Sequence, residues 1–126
     1  MKRIKSGLIL AAAMCLAPVA SADEIIEAWT CELKDDVSVE DVQAVNSKWL
    51  KWVNDNAEGG EITSAVGTPI VGNLEIFLFI DTYPDLATWA AAKDSLDSDA
   101  ADEIDDMFDD MSECSKNRLW KMEDTK

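Results

Sequence analysis

Histidine is absent from this 126-residue chain. That absence removes the Ser–His–acid and Cys–His arrangements of nucleophilic catalysis. It also removes the commonest metal ligand and the side chain that titrates near neutral pH. The three cysteines include no C-x-x-C pair, so neither a redox-active pair nor a zinc site is expected. Five glycines are scattered, and none builds a phosphate-cradling loop. Basic residues are scarce, 11 against 26 acidic ones, for a net charge of −15. A surface that negative repels nucleic acid and anionic lipid. It suits solubility, salty surroundings or a cationic partner. Acids are too abundant for any carboxylate pair to be diagnostic. No cofactor and no metal is implied, so any chemistry would be cofactor-free or would draw on the substrate's own reactivity.

The N-terminus carries the most informative pattern. Lys2, Arg3 and Lys5 precede an apolar run from Leu8 to Ala17, and Ala20-Ser21-Ala22 offers small residues at a cleavage site. That order is a secretory signal peptide over residues 1–22, leaving a single domain over 23–126 in the periplasm or outside the cell. The run is too short to span a bilayer, and no second stretch approaches that length, so no membrane insertion is expected after leader removal. Cys15 follows Met14, which departs from the small-residue pair of a lipoprotein signal. Leader removal takes away three basic residues and makes the remainder more negative still. Cys31 and Cys114 are then left in an oxidising compartment, and a structural disulfide is expected. Closing a loop of about 84 residues contributes at most roughly 4.5 kcal/mol in the chain-entropy picture.

Periodicity supplies the elements. Ile25 to Leu33 alternates as a strand, with Ile25, Glu27, Trp29, Cys31 and Leu33 on one face. Ser38 with Asp41 three residues on forms a capping box for a helix. Val42, Val45, Trp49, Trp52, Val53 and Asn56 follow at helical spacing, and Gly59-Gly60 ends the run. A weaker strand over Ile62–Val71 is interrupted by Gly67 and Pro69, which points to a sheet edge. After a turn at Gly72-Asn73, Leu74 to Thr82 is the strongest strand, apolar on both faces. Pro84 is expected in the first turn of a helix carrying Leu86, Trp89, Ala90 and Leu96. A break near Ser98 separates it from a helix with one stripe of Ile104, Met107, Phe108 and Met111. Lys116 to Met122 reads as a last strand. The order βαββαβ is the ferredoxin-like α+β arrangement with a four-stranded antiparallel sheet. Its first and last strands are antiparallel neighbours, and that pairing brings Cys31 and Cys114 together. One chain has helix enough for only one face of such a sheet. The doubly apolar third strand therefore predicts a homodimer that buries the other face.

The segment Phe77-Leu78-Phe79-Ile80-Asp81-Thr82-Tyr83-Pro84-Asp85-Leu86-Ala87-Thr88-Trp89 resembles the third-strand-into-helix passage of dimeric α/β-barrel proteins. Those include the antibiotic-biosynthesis monooxygenase-like and NIPSNAP-like groups. The resemblance implies two sheets paired into a barrel, with pockets between each sheet and its helices. It implies binding or oxidation of small aromatic or apolar molecules. Haem-degrading branches use a histidine, which this chain lacks, and no catalytic set of the family can be laid onto these positions.

Candidate pocket residues follow from the aromatics. Five tryptophans are many for this length. Trp29 and Trp120 lie on strands expected to be neighbours, Trp49 and Trp52 on one helix, and Trp89 on another. With Phe77, Phe79 and Tyr83 they either line an aromatic pocket or supply core and interface bulk. Asn46, at the edge of the apolar helical face, is placed to orient a ligand or to satisfy a neighbouring backbone group. Arg118, the one arginine after the leader, either pairs with a carboxylate or reaches an anionic ligand group. Asp97, Asp99 and Asp102 partly match a calcium loop, but Ala101, Asp102 and Phe108 break it, and a solvated acidic face is expected there. Three functions fit: binding of a small apolar or aromatic molecule without chemistry, a cofactor-independent monooxygenase-like enzyme, or an interaction protein offering an acidic surface to a basic partner.

Overall fold

The computed structural model describes residues 23–126. The expected leader and cleavage site, with Cys15, lie outside the described residues. Seven elements follow in the order β1 (Ile25–Leu33), α1 (Val39–Asn56), β2 (Thr63–Gly67), β3 (Ile76–Tyr83), α2 (Leu86–Ser95), α3 (Asp99–Met111) and β4 (Ser112–Lys121). The strands form one antiparallel sheet in the order β2-β3-β1-β4. This is the expected α+β, ferredoxin-like layout, with β1 central and β2 at an edge.

Local chemistry sets the helix starts. The Ser38 side chain accepts from the Asp41 backbone N–H, and Asp41 in turn accepts from the Ser38 backbone, closing the capping box of α1. Near its C-terminal end, Gly59 takes a φ of +132° and packs against Thr88, where any side chain would collide. The start of α2 differs from the expectation. Asp85 is the N-cap and accepts from the Thr88 N–H at 2.7 Å, so Pro84 precedes the cap and stands outside the first turn. Leu86 and Ala90 point to solvent, whereas Thr88 and Ala92 are buried. Ser98 caps α3.

Strand ends also moved. The expected strand Ile62–Val71 shortens to Thr63–Gly67, and Leu74 leaves β3. Pro69 cannot donate to a ladder, and Gly72 turns the chain with a φ of +102°. Residues 68–75 therefore leave the sheet and carry Ile70, Val71 and Leu74 into solvent. The last strand starts at Ser112, four residues earlier than expected, because the chain turns from helix to strand at the α3 cap. Cys31 and Cys114 are disulfide-bonded. A register shift between Thr30 and Cys31 makes this possible: Thr30 faces Lys116, but Cys31 faces Cys114. Strict alternation would have put Cys114 on the side of Lys116, away from Cys31.

The three helices cover one face of the sheet. Tyr83, Ile25, Trp49, Val53, Ile62 and Ala92 form one core cluster, with Trp52, Trp89, Leu96 and Ile104 packed against it. Cys31, Val42, Phe77 and Phe79 form another, closed by Phe108 and Met111. Each fully buried aliphatic or aromatic chain here contributes about 1.5–3 kcal/mol. Along β3 the burial alternates: Phe77, Phe79, Asp81 and Tyr83 are buried, while Ile76, Leu78, Ile80 and Thr82 are only half-buried. The second apolar face of β3 is thus left without a helix in the single chain. Ile26 and Ala28 of β1 continue that face, and the register adds Trp120 and Arg118 from β4. Trp120 is 50% exposed.

Candidate functional site

Between the helix-covered face of the sheet and the three helices lies a cavity of about 310 Å³. Its floor is Trp29 of β1 with Phe79 and Asp81 of β3; α1 contributes Asn46 and Trp49. Lys93 and Leu96 close one side, and Asp105, Phe108 and Asp109 of α3 close another, with Cys114 at the end. Phe79 meets Phe108 edge-on at 5.1 Å and Phe77 at 5.0 Å, which fixes the aromatic wall. A second depression lies among the terminal segments, lined by Asp23, Glu24, Met122 and Glu123, and has no aromatic wall.

Polar groups enter this apolar setting as two linked carboxylates. Glu27 and Asp81 are direct cross-strand partners and are 3% and 5% exposed. Glu27 is surrounded by donors. Lys93 Nζ lies at 2.6 Å, Asn117 Nδ2 at 2.8 Å, Trp89 Nε1 at 3.2 Å and the Tyr83 hydroxyl at 3.3 Å. Burial, with Asp81 and Glu27 close by, holds the Tyr83 phenol far above its ordinary range, so it stays a donor. Asp81 is less well served. The Ser64 hydroxyl donates to its Oδ1 at 2.5 Å, and Asn46 Nδ2 donates to that hydroxyl at 2.8 Å. Burial pushes the Asp81 carboxyl up to about 6, and the charge of Glu27 adds to the rise. Ser64 and Lys93 oppose it. Desolvation and its acidic neighbours Asp109 and Asp102 also raise Asp105. Among the described residues no group of three or more acidic or cysteine side chains is placed to hold a metal ion.

The structure brings together part of the expected set. Trp29, Asn46, Trp49 and Phe79 line the cavity. Phe77 is buried behind Phe79. Tyr83 and Trp89 hold Glu27 instead of lining the space. Arg118 and Trp120 are opposite Ala28 and Ile26, so they project from the uncovered face, away from Trp29. Among the described residues Arg118 forms no ion pair. The residues that sequence reasoning passed over are Glu27, Ser64, Asp81 and Lys93. A signal existed for the acids. Each alternates with apolar residues on a strand face that must be buried, Glu27 with Ile25 and Cys31, Asp81 with Phe77 and Phe79.

The fold is shared with an oxygenase. SnoaB, a cofactor-independent oxygenase from Streptomyces nogalater, superposes with a TM-score of 0.58 at 12% identity, covering 82% of this chain and 97% of its own. A conserved protein of unknown function from Bacteroides thetaiotaomicron, a possible oxidoreductase, gives 0.53 at 10% identity over 79% of this chain and 98% of its own. At3g17210 from Arabidopsis thaliana gives 0.52 at 15% identity over 81% and 96%. At such identities the likeness establishes the fold, the one that the Phe77–Trp89 segment implied. No protein-family model and no curated protein matches the sequence.

Proposed function

We propose that the protein is an exported homodimer that binds a small apolar or aromatic molecule in the cavity between sheet and helices. The observation that carries this reading is the cavity itself. At about 310 Å³ it is the size of a small-molecule site, with aromatic walls and a few convergent polar groups. An interaction protein with no ligand would fill such a space with its own side chains. Export is supported by the leader pattern and by the disulfide. Dimerisation is supported by the half-buried apolar row of Ile76, Leu78 and Ile80, which no helix covers. A cofactor-independent oxygenase is the second reading. It is favoured by the meeting of Asn46 with Trp29 and Trp49 on one space, and by the fold shared with SnoaB. In that reading the substrate supplies its own reactivity and Asn46 orients it.

Mass spectrometry under non-denaturing conditions, on protein from its natural source, tests the proposal. The expected result is a dimer carrying one small apolar molecule per chain, released on denaturation. A bare chain mass from every preparation, together with no binding of any aromatic probe, would overturn it. Product appearing with dioxygen uptake would favour the oxygenase.

A further inference from the structure

The polar network of the cavity has a direction. Ser64 has one hydroxyl proton, and a carboxylate only accepts, so that proton goes to Asp81. Asn46 must then donate to Ser64 with its amide nitrogen, which turns its amide oxygen away from the hydroxyl. Among the described residues no donor reaches that oxygen or Asp81 Oδ2. Neither is sealed from solvent, because among the described residues no fully buried side-chain oxygen lacks a partner. Both residues line the cavity, at 8% and 5% exposure. Both oxygens are therefore acceptors on residues that line the cavity.

Charge points the same way. Asp81, Asp105 and Asp109 line the space against a single cation, Lys93, and Lys93 is matched by Glu27 at 2.6 Å. An anion entering meets repulsion, and a cation meets uncompensated negative charge. The aromatic wall accepts cations too: the Lys93 ammonium already stands 5.7 Å from the Trp29 ring centre.

Resting on the pocket reading above, we propose that the ligand is a primary amine: an apolar or aromatic body bearing one ammonium group. The ammonium donates to Asp81 Oδ2 and to the Asn46 amide oxygen, and the body lies against Trp29, Trp49 and Phe79. The charged or titratable groups that act on Asp81 are Glu27 from β1, Tyr83 from β3 itself and Lys93 from α2, while Asp105 and Asp109 of α3 line the same cavity. β2 and α1 offer only the neutral Ser64 and Asn46. Asp81 titrates at about 6, so its charge is lost on acidification while an amine ligand keeps its own.

The test uses three probes of one shape: 2-(2-naphthyl)ethylamine, 2-(2-naphthyl)ethanol and 3-(2-naphthyl)propanoate. Calorimetry on the disulfide-intact protein at pH 7.5 should give the amine at least about tenfold tighter binding than the alcohol, as a charged hydrogen bond requires, and none for the propanoate. The preference should shrink several-fold by pH 5. Asp81→Asn should abolish it. Asp110→Asn, on the exposed side of α3, should leave it unchanged, which separates the site from bulk charge. Should Asp81→Asn fail to fold, the pH series on the unaltered protein decides. Equal binding of amine and alcohol at pH 7.5 would overturn the amine assignment and leave the pocket standing. No binding of any probe would overturn both.

Discussion

Replacing Glu27 by leucine should be among the most damaging single changes in this domain. Four donors converge on that carboxylate, and three of them, from Tyr83, Trp89 and Asn117, have no other acceptor among the described residues. Lys93 is 29% exposed in its side chain and can swing toward water, so its loss counts for less. Tyr83 is fully buried and Trp89 partly so, whereas Asn117 lies on the exposed strand β4 and can turn to water. Each of the two shielded donors left unsatisfied costs about 1–3 kcal/mol, and the added apolar burial of leucine returns part of the sum. The expected net loss is about 3 kcal/mol. Glu27→Gln keeps one acceptor oxygen but turns the other into an NH2 donor facing donors, so it removes the charge and one acceptor, for a loss of about 2 kcal/mol. Urea unfolding at one fixed protein concentration, with the disulfide intact, measures both. A double-mutant cycle with Lys93→Met isolates the ion pair, which should couple by less than the total. If Glu27→Leu unfolds within about 0.5 kcal/mol of the unaltered protein, the network does not hold the sheet to α2.

Asp81 should behave in the opposite sense. Its carboxyl titrates higher in the folded chain, about 6, than its ordinary 3.8, so the folded state binds more protons between those values and stability falls as pH rises through them. Asp81→Asn should therefore stabilise the protein by about 2–3 kcal/mol at pH 7.5 and by almost nothing at pH 3.5; destabilisation at pH 7.5 would contradict this. Replacing Cys31 or Cys114 by serine should lower stability by up to roughly 4.5 kcal/mol, and labelling of both thiols in native, unreduced protein would refute the bond. Leu78→Asp, on the uncovered sheet face, should give monomers in sedimentation, whereas the unaltered chain should form a dimer that tightens with salt as the like charges are screened. An unaltered chain that sediments as a monomer in low and high salt would sink the dimer.

Much of the fold was legible because local chemistry and periodicity agreed. Ser38, Asp41 and the Val42–Val53 stripe placed α1, and Ser98 marked the start of α3. The strand ends were harder to read. Leu74 looks like strand, but the turn around Gly72 carries it into solvent. The pocket was half legible. Trp29, Asn46, Trp49 and Phe79 were expected and converge. Trp120 and Arg118, which the sequence pattern also suggests for this space, lie on the other face, because strand parity depends on register. The register shift at Thr30/Cys31 is invisible in the residue types. Glu27 and Asp81 were hidden by abundance: in a chain with 26 acids, a buried carboxylate is betrayed only by the apolar neighbours that alternate with it.

Entry of a small apolar or aromatic molecule between the sheet and the helices would be read out by the indole N–H resonances. Each of the five tryptophans contributes one nitrogen–proton signal, assignable by single Trp→Phe replacements. On addition of 2-(2-naphthyl)ethylamine, the Trp29 and Trp49 signals should move and saturate together, while Trp120, on the opposite sheet face, should stay still. Movement of Trp120 with Trp29 and Trp49 unmoved would place the ligand on the open face of the sheet and contradict the account.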